Sequence, residues 1–248
     1  MCIRDSVCSS YDNCHVPWGS THEKTWHLVK TLPHVSGLFV WTGFDYLGEP
    51  TPYWWPSRSS FFGIVDLAGF PKDVYYMYKS EWTDEPVLHI FPHWNWKEGE
   101  PVDIWAYYNN ADEVELYLNG KSLGVRQKTD STYHVSWRVP FTPGTLRAVS
   151  RLGGKEVLVK EIHTAGEPAR LVLTPDRSVI QADGSDLSFV TADVCDIDGN
   201  RVHDATPLIR FSVEGPGEIA GTDNGDPNDP NSLRTVSYTH LTLPTKLE

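Results

Sequence analysis

Apolar positions along the chain change their period twice. Trp26, Val29 and Leu32 recur at three-residue steps behind Ser20-Thr21-His22-Glu23. Ser followed three residues later by Glu is a capping box, and Pro33 closes the run. A helix is predicted over about 21–32, with Ser20 as N-cap and Glu23 reaching back. Residues 37–41, GLFVW, are an unbroken apolar run, the pattern of a strand buried on both faces in a parallel sheet. A long aromatic loop follows. Pro71 then marks a second helix start, and Val74, Met77, Tyr78 and Trp82 make its apolar stripe. Helix, buried strand, loop and helix over residues 7–85 predict one unit of an α/β fold.

Across residues 86–166 the period becomes two. Val114, Leu116 and Leu118 alternate with Glu113, Glu115 and Tyr117, and Asn119-Gly120 is a hairpin turn signal. Val135, Trp137 and Val139 share one face of a second such strand. Short strands with frequent turns predict a β-sandwich. Residues 167–234 alternate again at Leu171/Leu173 and Leu187/Phe189, with Asp198-Gly199-Asn200 as a turn. They predict a second, incomplete sandwich, joined to the first by EIHTAGEPAR.

Composition narrows the function classes. The net charge of −12 over 248 residues disfavours nucleic acid and anionic membrane surfaces. No apolar run approaches the roughly 18 residues of a membrane span, and the start lacks the shape of a signal peptide. Ten tryptophans lean towards carbohydrate, whose C–H faces stack on aromatic rings, although a tryptophan-rich core explains the count equally well. Among Cys2, Cys8, Cys14 and Cys195, the pair Cys8 and Cys14 is close enough in sequence for a disulfide. No CxxC pair points to structural zinc.

The two ends mirror each other at the codon level. Written as ATG TGT ATA AGA GAC AGT, residues 1–6 have a reverse complement that translates as TVSYTH, the sequence of residues 235–240. The repeat resembles a transposase recognition end from sequencing libraries. Residues 1–6 and 235–248 are therefore expected to be sequencing scars, with the native chain continuing in both directions.

Three stretches carry candidate chemistry. HEKTWH spaces His22 and His27 five apart, about 140° around a helix, so it is no HExxH zinc motif and surface histidines are expected. DIDGN (196–200) and DNGDPNDPN (223–231) hold calcium-like oxygens, yet turn chemistry accounts for both. Asp45 and Glu49 follow Trp41 in the loop after the apolar run. They are candidates for a glycosidase carboxylate pair, or else they cap the loop and bind hydroxyls. No metal or cofactor is expected.

FVWTGFDYLGEPTPY, WPSRSSFFGIVDLAGFPKDVYYMYKSEW, VLHIFPHWNW and ADEVELYLNGKSLG, in that order, resemble bacterial glycoside hydrolase family 2 enzymes of the β-galactosidase type. The resemblance covers nearly all of residues 8–234. It implies that residues 7–85 are the last strand and helices of a (β/α)8 TIM barrel, followed by immunoglobulin-like sandwiches. It implies a C-terminal fragment of a retaining exo-β-glycosidase acting on an oligosaccharide or glycoside, with both catalytic glutamates upstream of this chain. Trp41 matches the family's pocket tryptophan; Asp45, Tyr46 and Glu49 lie in the matching substrate-binding loop. The glucuronidase Asn-x-Lys motif is replaced by SRSSFFG, which disfavours a glucuronide. The parent is expected to be periplasmic or extracellular, with a cytoplasmic location left open; oligomeric state is open. The alternative is a non-catalytic carbohydrate-binding or structural sandwich protein, for which the α/β unit at 7–85 would be superfluous.

Overall fold

The computed structural model describes residues 3–4, 7–234 and 237–238, with 3–4, 7–8 and 237–238 described by backbone alone. Most of each expected scar, and the Cys8 side chain of the expected disulfide, lie outside the described residues. The architecture is mostly β-sheet with two short helices. The chain divides into two compact units: the first runs to Thr164, within the stretch 161–170, and also takes in Pro227–Asp229, and the second begins at Ala165.

In the first unit β1 (Ile3–Arg4) pairs with β2 (Val7–Cys8). Helix α1 (His22–Thr31) follows, with Thr21 as N-cap. The expected capping box does not form. Asp12 takes its place: Oδ1 accepts the His22 N–H at 2.9 Å and Oδ2 the Glu23 N–H at 2.7 Å. A carboxylate on the first turn satisfies two orphan donors and suits the helix dipole, so it displaces the weaker serine. Glu23 is thereby released to accept the Tyr133 N–H at 3.1 Å and to hold His134 Nδ1 at 2.6 Å.

The run 37–41 forms no strand in this chain: Phe39 is 103% exposed and Trp41 73%. A parallel strand needs neighbours on both edges and layers on both faces; among the described residues the run has no ladder partner, and it packs on the core only through half-buried Val40. Helix α2 (Asp73–Trp82) starts at N-cap Lys72, one residue after Pro71. Met77 and Tyr78 are buried as the stripe requires, and Trp82 packs on Tyr78 and Trp26.

The first sandwich follows its alternation closely. β3 (Leu88–Phe91), β4 (Pro101–Tyr108) and β7 (His134–Pro140) make one antiparallel sheet in the order β3-β4-β7. β5 (Glu113–Leu118), β6 (Lys121–Arg126), β8 (Thr145–Leu152) and β9 (Lys155–His163) make the other in the order β6-β5-β8-β9. Val114, Leu116, Val135, Trp137 and Val139 meet between them, with Trp94 and Ile104, in one apolar core. Asn119 and Gly120, at φ 50° and 78°, turn β5 into β6 with Leu118 opposite Lys121; both positive angles are what a two-residue hairpin of this twist demands. The Asn119 side chain is held at both ends, donating to Pro143 O at 3.1 Å and accepting from Thr145 N at 2.8 Å. The outer face of the three-stranded sheet is covered too: Phe91, Tyr107 and Tyr133 pack with Tyr11, Met77 and Tyr78. The helices and the sandwich therefore share one compact unit.

The second unit pairs β10 (Arg170–Pro175) with β11 (Val190–Cys195) and β12 (Ile209–Arg210) with β13 (Ser237–Tyr238). Its small core is Ala165, Val194, Val202, Ala205 and Ile209. Leu171/Leu173 and Leu187/Phe189, expected to line a sandwich interior, are exposed instead. A two-stranded sheet has no facing layer to bury them against. No described helix is long and apolar enough to cross a membrane.

Candidate functional site

Residues 41–49 are supported along almost their whole length by backbone bonds. Thr42 N donates to Phe62 O, Ile64 N to Thr42 O, Val65 N to Gly43 O and Asp45 N to Val65 O, all at 2.9–3.0 Å. The partner then changes direction. Ser60 N donates to Tyr46 O at 2.8 Å and Gly48 N to Arg58 O at 2.7 Å, while Tyr46 N donates to Ser60 Oγ at 3.2 Å. Ser59 and Ser60 are both buried, and Ser60 of SRSSFFG braces this loop through its backbone and its hydroxyl.

On that support three of the four sequence-predicted residues come together. Trp41 Nε1 donates to the Tyr46 hydroxyl at 3.2 Å, and the rings meet edge to face with centroids 6.2 Å apart. The Tyr46 hydroxyl in turn donates to Glu49 Oε2. That bond raises the Tyr46 hydroxyl above its ordinary value. The Trp41–Thr42 peptide is cis. Gly48 and Glu49 turn the chain at φ 96° and 46°; glycine adopts this region freely, whereas few other residues do. The turn delivers the Glu49 carboxylate to Tyr46. The result is an exposed indole face beside a phenol and a carboxylate, a combination suited to stacking on a sugar ring and bonding its hydroxyls.

Asp45 stands apart from the other three. It is buried, with Oδ1 accepting the Gly63 N–H at 2.7 Å and Oδ2 lying 2.6 Å from Lys72 Nζ. Burial pushes its carboxyl up, opposed by the Lys72 ammonium and the Gly63 N–H. A Cβ on Gly63 would lie 2.2 Å from Asp45 N and 2.4 Å from Val65 O, so only glycine lets the two backbones approach. Sequence reasoning missed Lys72 and Gly63. Lys72 carries no local signal, because its partner is distant in sequence; the glycine of FFG was an available hint.

The remaining candidates resolve structurally. His22 and His27 are half-buried rather than surface residues: His22 Nδ1 lies 2.9 Å from the Tyr78 hydroxyl and His27 Nδ1 3.3 Å from that of Tyr133. Their helix lies against α2 and the sandwich, which the local pattern does not reveal. In DIDGN, Asp196 accepts from Gly166 N, Asp198 N, Asn200 N and Asn200 Nδ2. These bonds, that from Gly166 first, hold its carboxyl down at about 2. Its oxygens are occupied in closing the turn. Among the described residues no three His, Cys, Asp or Glu side chains gather as metal ligands would.

Comparison with known proteins adds an independent line. Residues 171–241 match the glycoside hydrolase family 2 C-terminal domain 5, and residues 99–158 match a domain of unknown function, DUF4982. The chain is 63% identical over 221 residues to beta-galactosidase BoGH2A of Bacteroides ovatus, covering 89% of this chain and 26% of that protein. It is 37% identical over 237 residues to a putative beta-glucuronidase of Formosa agariphila, covering 92% of this chain and 22% of that protein. The crystal structure of a beta-glycosidase from Bacteroides vulgatus superposes with a TM-score of 0.87 at 35% identity, over 93% of this chain and 29% of that one. The chain thus spans about a quarter of the length of these relatives. Domain match, sequence identity and superposition agree, and the chain belongs to glycoside hydrolase family 2.

Proposed function

We propose that this chain is the C-terminal part of a retaining exo-β-glycosidase, a β-galactosidase, in which Trp41, Tyr46 and Glu49 form one wall of the sugar pocket and Asp45 supports that wall from beneath. The observation that carries the reading is the exposed Trp41–Tyr46–Glu49 array in a chain 63% identical to a protein named a beta-galactosidase. The run 37–41 is then the last strand of a (β/α)8 barrel. Its lack of ladder partners and the exposure of Phe39 and Trp41 follow if its neighbouring strands belong to the rest of the enzyme.

In such an enzyme one glutamate protonates the glycosidic oxygen while the other attacks the anomeric carbon, forming a glycosyl-enzyme that water then hydrolyses. Neither group is assigned to this chain. The contribution of these residues is to hold the sugar: the Trp41 indole stacks on its C–H face, and Tyr46 and Glu49 bond its hydroxyls. Asp45 and Glu49 do not make a catalytic pair, since the Asp45 oxygens are spent on Gly63 and Lys72.

The test is an assay of the purified chain with nitrophenyl β-galactoside, β-glucoside and β-glucuronide. No turnover above buffer is expected from the chain alone. Joined to the upstream part of a close relative, it should support turnover of the galactoside in preference to the other two. Turnover by the isolated chain that disappears in Asp45→Asn or Glu49→Gln would overturn the reading and make this loop the catalytic centre.

A further inference from the structure

Resting on the reading of the Trp41 face as a glycoside site, we propose that Lys72 and Asp45 are positioning residues for it: the ion pair between half-buried Lys72 and buried Asp45 sets where the Trp41 indole and Tyr46 hydroxyl stand. Asp45 sits where the loop changes partners. Before it, residues 42–45 bond to residues 62–65; after it, residues 46–48 bond to residues 58–60. Its side chain ties that junction to both neighbours, through Gly63 N at 2.7 Å and Lys72 Nζ at 2.6 Å. Lys72 is itself anchored. It is the N-cap of α2, its N–H donates to Ile64 O at 2.9 Å, and its ammonium also reaches Phe61 O at 3.4 Å. The pair thus joins the sugar-facing loop to the start of a helix whose Met77 and Tyr78 are buried in the core.

The geometry separates support from recognition. Tyr46, adjacent to Asp45, carries the hydroxyl that receives the Trp41 indole N–H and donates to Glu49. Release of the Asp45 carboxylate frees the junction, and the Tyr46 hydroxyl moves with it. The cost of the change is concentrated here because loss of the half-buried Lys72 ammonium leaves the buried Asp45 carboxylate uncompensated.

The test reads the indole directly, in this chain, by nuclear magnetic resonance with 15N-labelled tryptophan. The Trp41 resonance is identified by its absence in Trp41→Phe. Trp94 and Trp137, whose indoles donate to Thr142 O and Gly124 O inside the sandwich, serve as internal controls. Lys72→Met is expected to move the Trp41 resonance to the position of a solvent-exposed indole, with both controls unmoved. Lys72→Arg should restore it. Lys79→Met, which removes the α2 lysine paired with exposed Glu85, should leave it in place. An unmoved Trp41 resonance in Lys72→Met, or an equal movement in Lys79→Met, overturns the proposal. If Lys72→Met also displaces the controls, Asp45→Asn decides by the same criterion, and displacement of the controls there as well overturns it. The measurement needs no sugar, so failure of the positioning claim is distinct from failure of the glycosidase reading, which the turnover assay addresses.

Discussion

Glu81 Oε1 lies 3.1 Å from Lys128 Nζ, joining helix α2 to the connection between the two sheets of the first sandwich. The same carboxylate accepts the Trp26 indole N–H at 3.0 Å and Lys30 Nζ at 2.8 Å, so one buried group holds α1, α2 and the sandwich together. Burial alone would raise this carboxyl, but the Lys30, Trp26 and Lys128 donors outweigh it and hold it below its ordinary value. Glu81→Gln should destabilise the first unit by about 2–4 kcal/mol, as breaking a partly buried charge network does. Urea unfolding followed by tryptophan fluorescence measures this. A loss under ~0.5 kcal/mol would show that the three donors find other partners.

His22 sets an acid limit on stability. Burial against Tyr78 lowers it from the ordinary 6.5 to about 4, so the folded state holds it neutral. An unfolded chain binds this proton from pH 6.5 downward and the folded chain only near pH 4. The stabilisation is therefore complete above about pH 6.5 and is lost as pH falls to about 4, by at most ~3 kcal/mol. Asp12, whose carboxyl burial raises, acts in the opposite sense between the ordinary 3.8 and its raised value. His22→Gln isolates the histidine: its urea midpoint should fall less than that of the parent chain between pH 7 and pH 4.5. Identical slopes would refute the assignment.

Gly63→Ala should disrupt the loop that carries Trp41 without unfolding the sandwich. Its new Cβ would meet backbone atoms at 2.2–2.5 Å, none of them the end of a flexible side chain. The expected cost is about 2–4 kcal/mol, within the range for overpacking and strain. Limited proteolysis should show new cleavage between residues 41 and 63, while residues 88–163 stay protected.

In an enzyme that includes the barrel, Trp41→Ala should lower kcat/KM by about 2–4 kcal/mol of transition-state binding, as removal of a contact aromatic does. Unchanged kinetics in a normally folded variant would remove Trp41 from the sugar pocket.

Legibility from sequence followed the range of the interactions involved. The Asn119-Gly120 turn and the alternation of β5 and β7 are local, and the structure follows them residue by residue. The span of α1 was visible within about a residue, but its cap was not, because Asp12 acts from ten residues upstream, outside the Ser20-to-Glu23 pattern. Trp composition left core and sugar contact equally weighted, and the tryptophans divide in burial: Trp94 and Trp137 are buried, whereas Trp41, Trp54 and Trp55 are exposed. The Trp41, Tyr46 and Glu49 grouping could be named from one loop. The Lys72 contact could not, since an ion pair across two elements leaves no period. The alternation at Leu171/Leu173 was read correctly as a pattern, but the facing layer it requires is missing among the described residues.

The Asn119-Gly120 turn also keeps time. Asparagine before glycine is the sequence most prone to deamidation, because the unhindered glycine nitrogen attacks the side-chain amide to form a succinimide. Here that amide is occupied at both ends, by Pro143 O and Thr145 N. Attack has to wait until both bonds open, and opening frees the β5–β6 turn from the start of β8. Accumulation of aspartate and isoaspartate at position 119, followed by peptide mass spectrometry over weeks of storage, therefore records how often this edge of the sandwich breathes. A chain aged at 37 °C carries in one residue a chemical record of its own local unfolding.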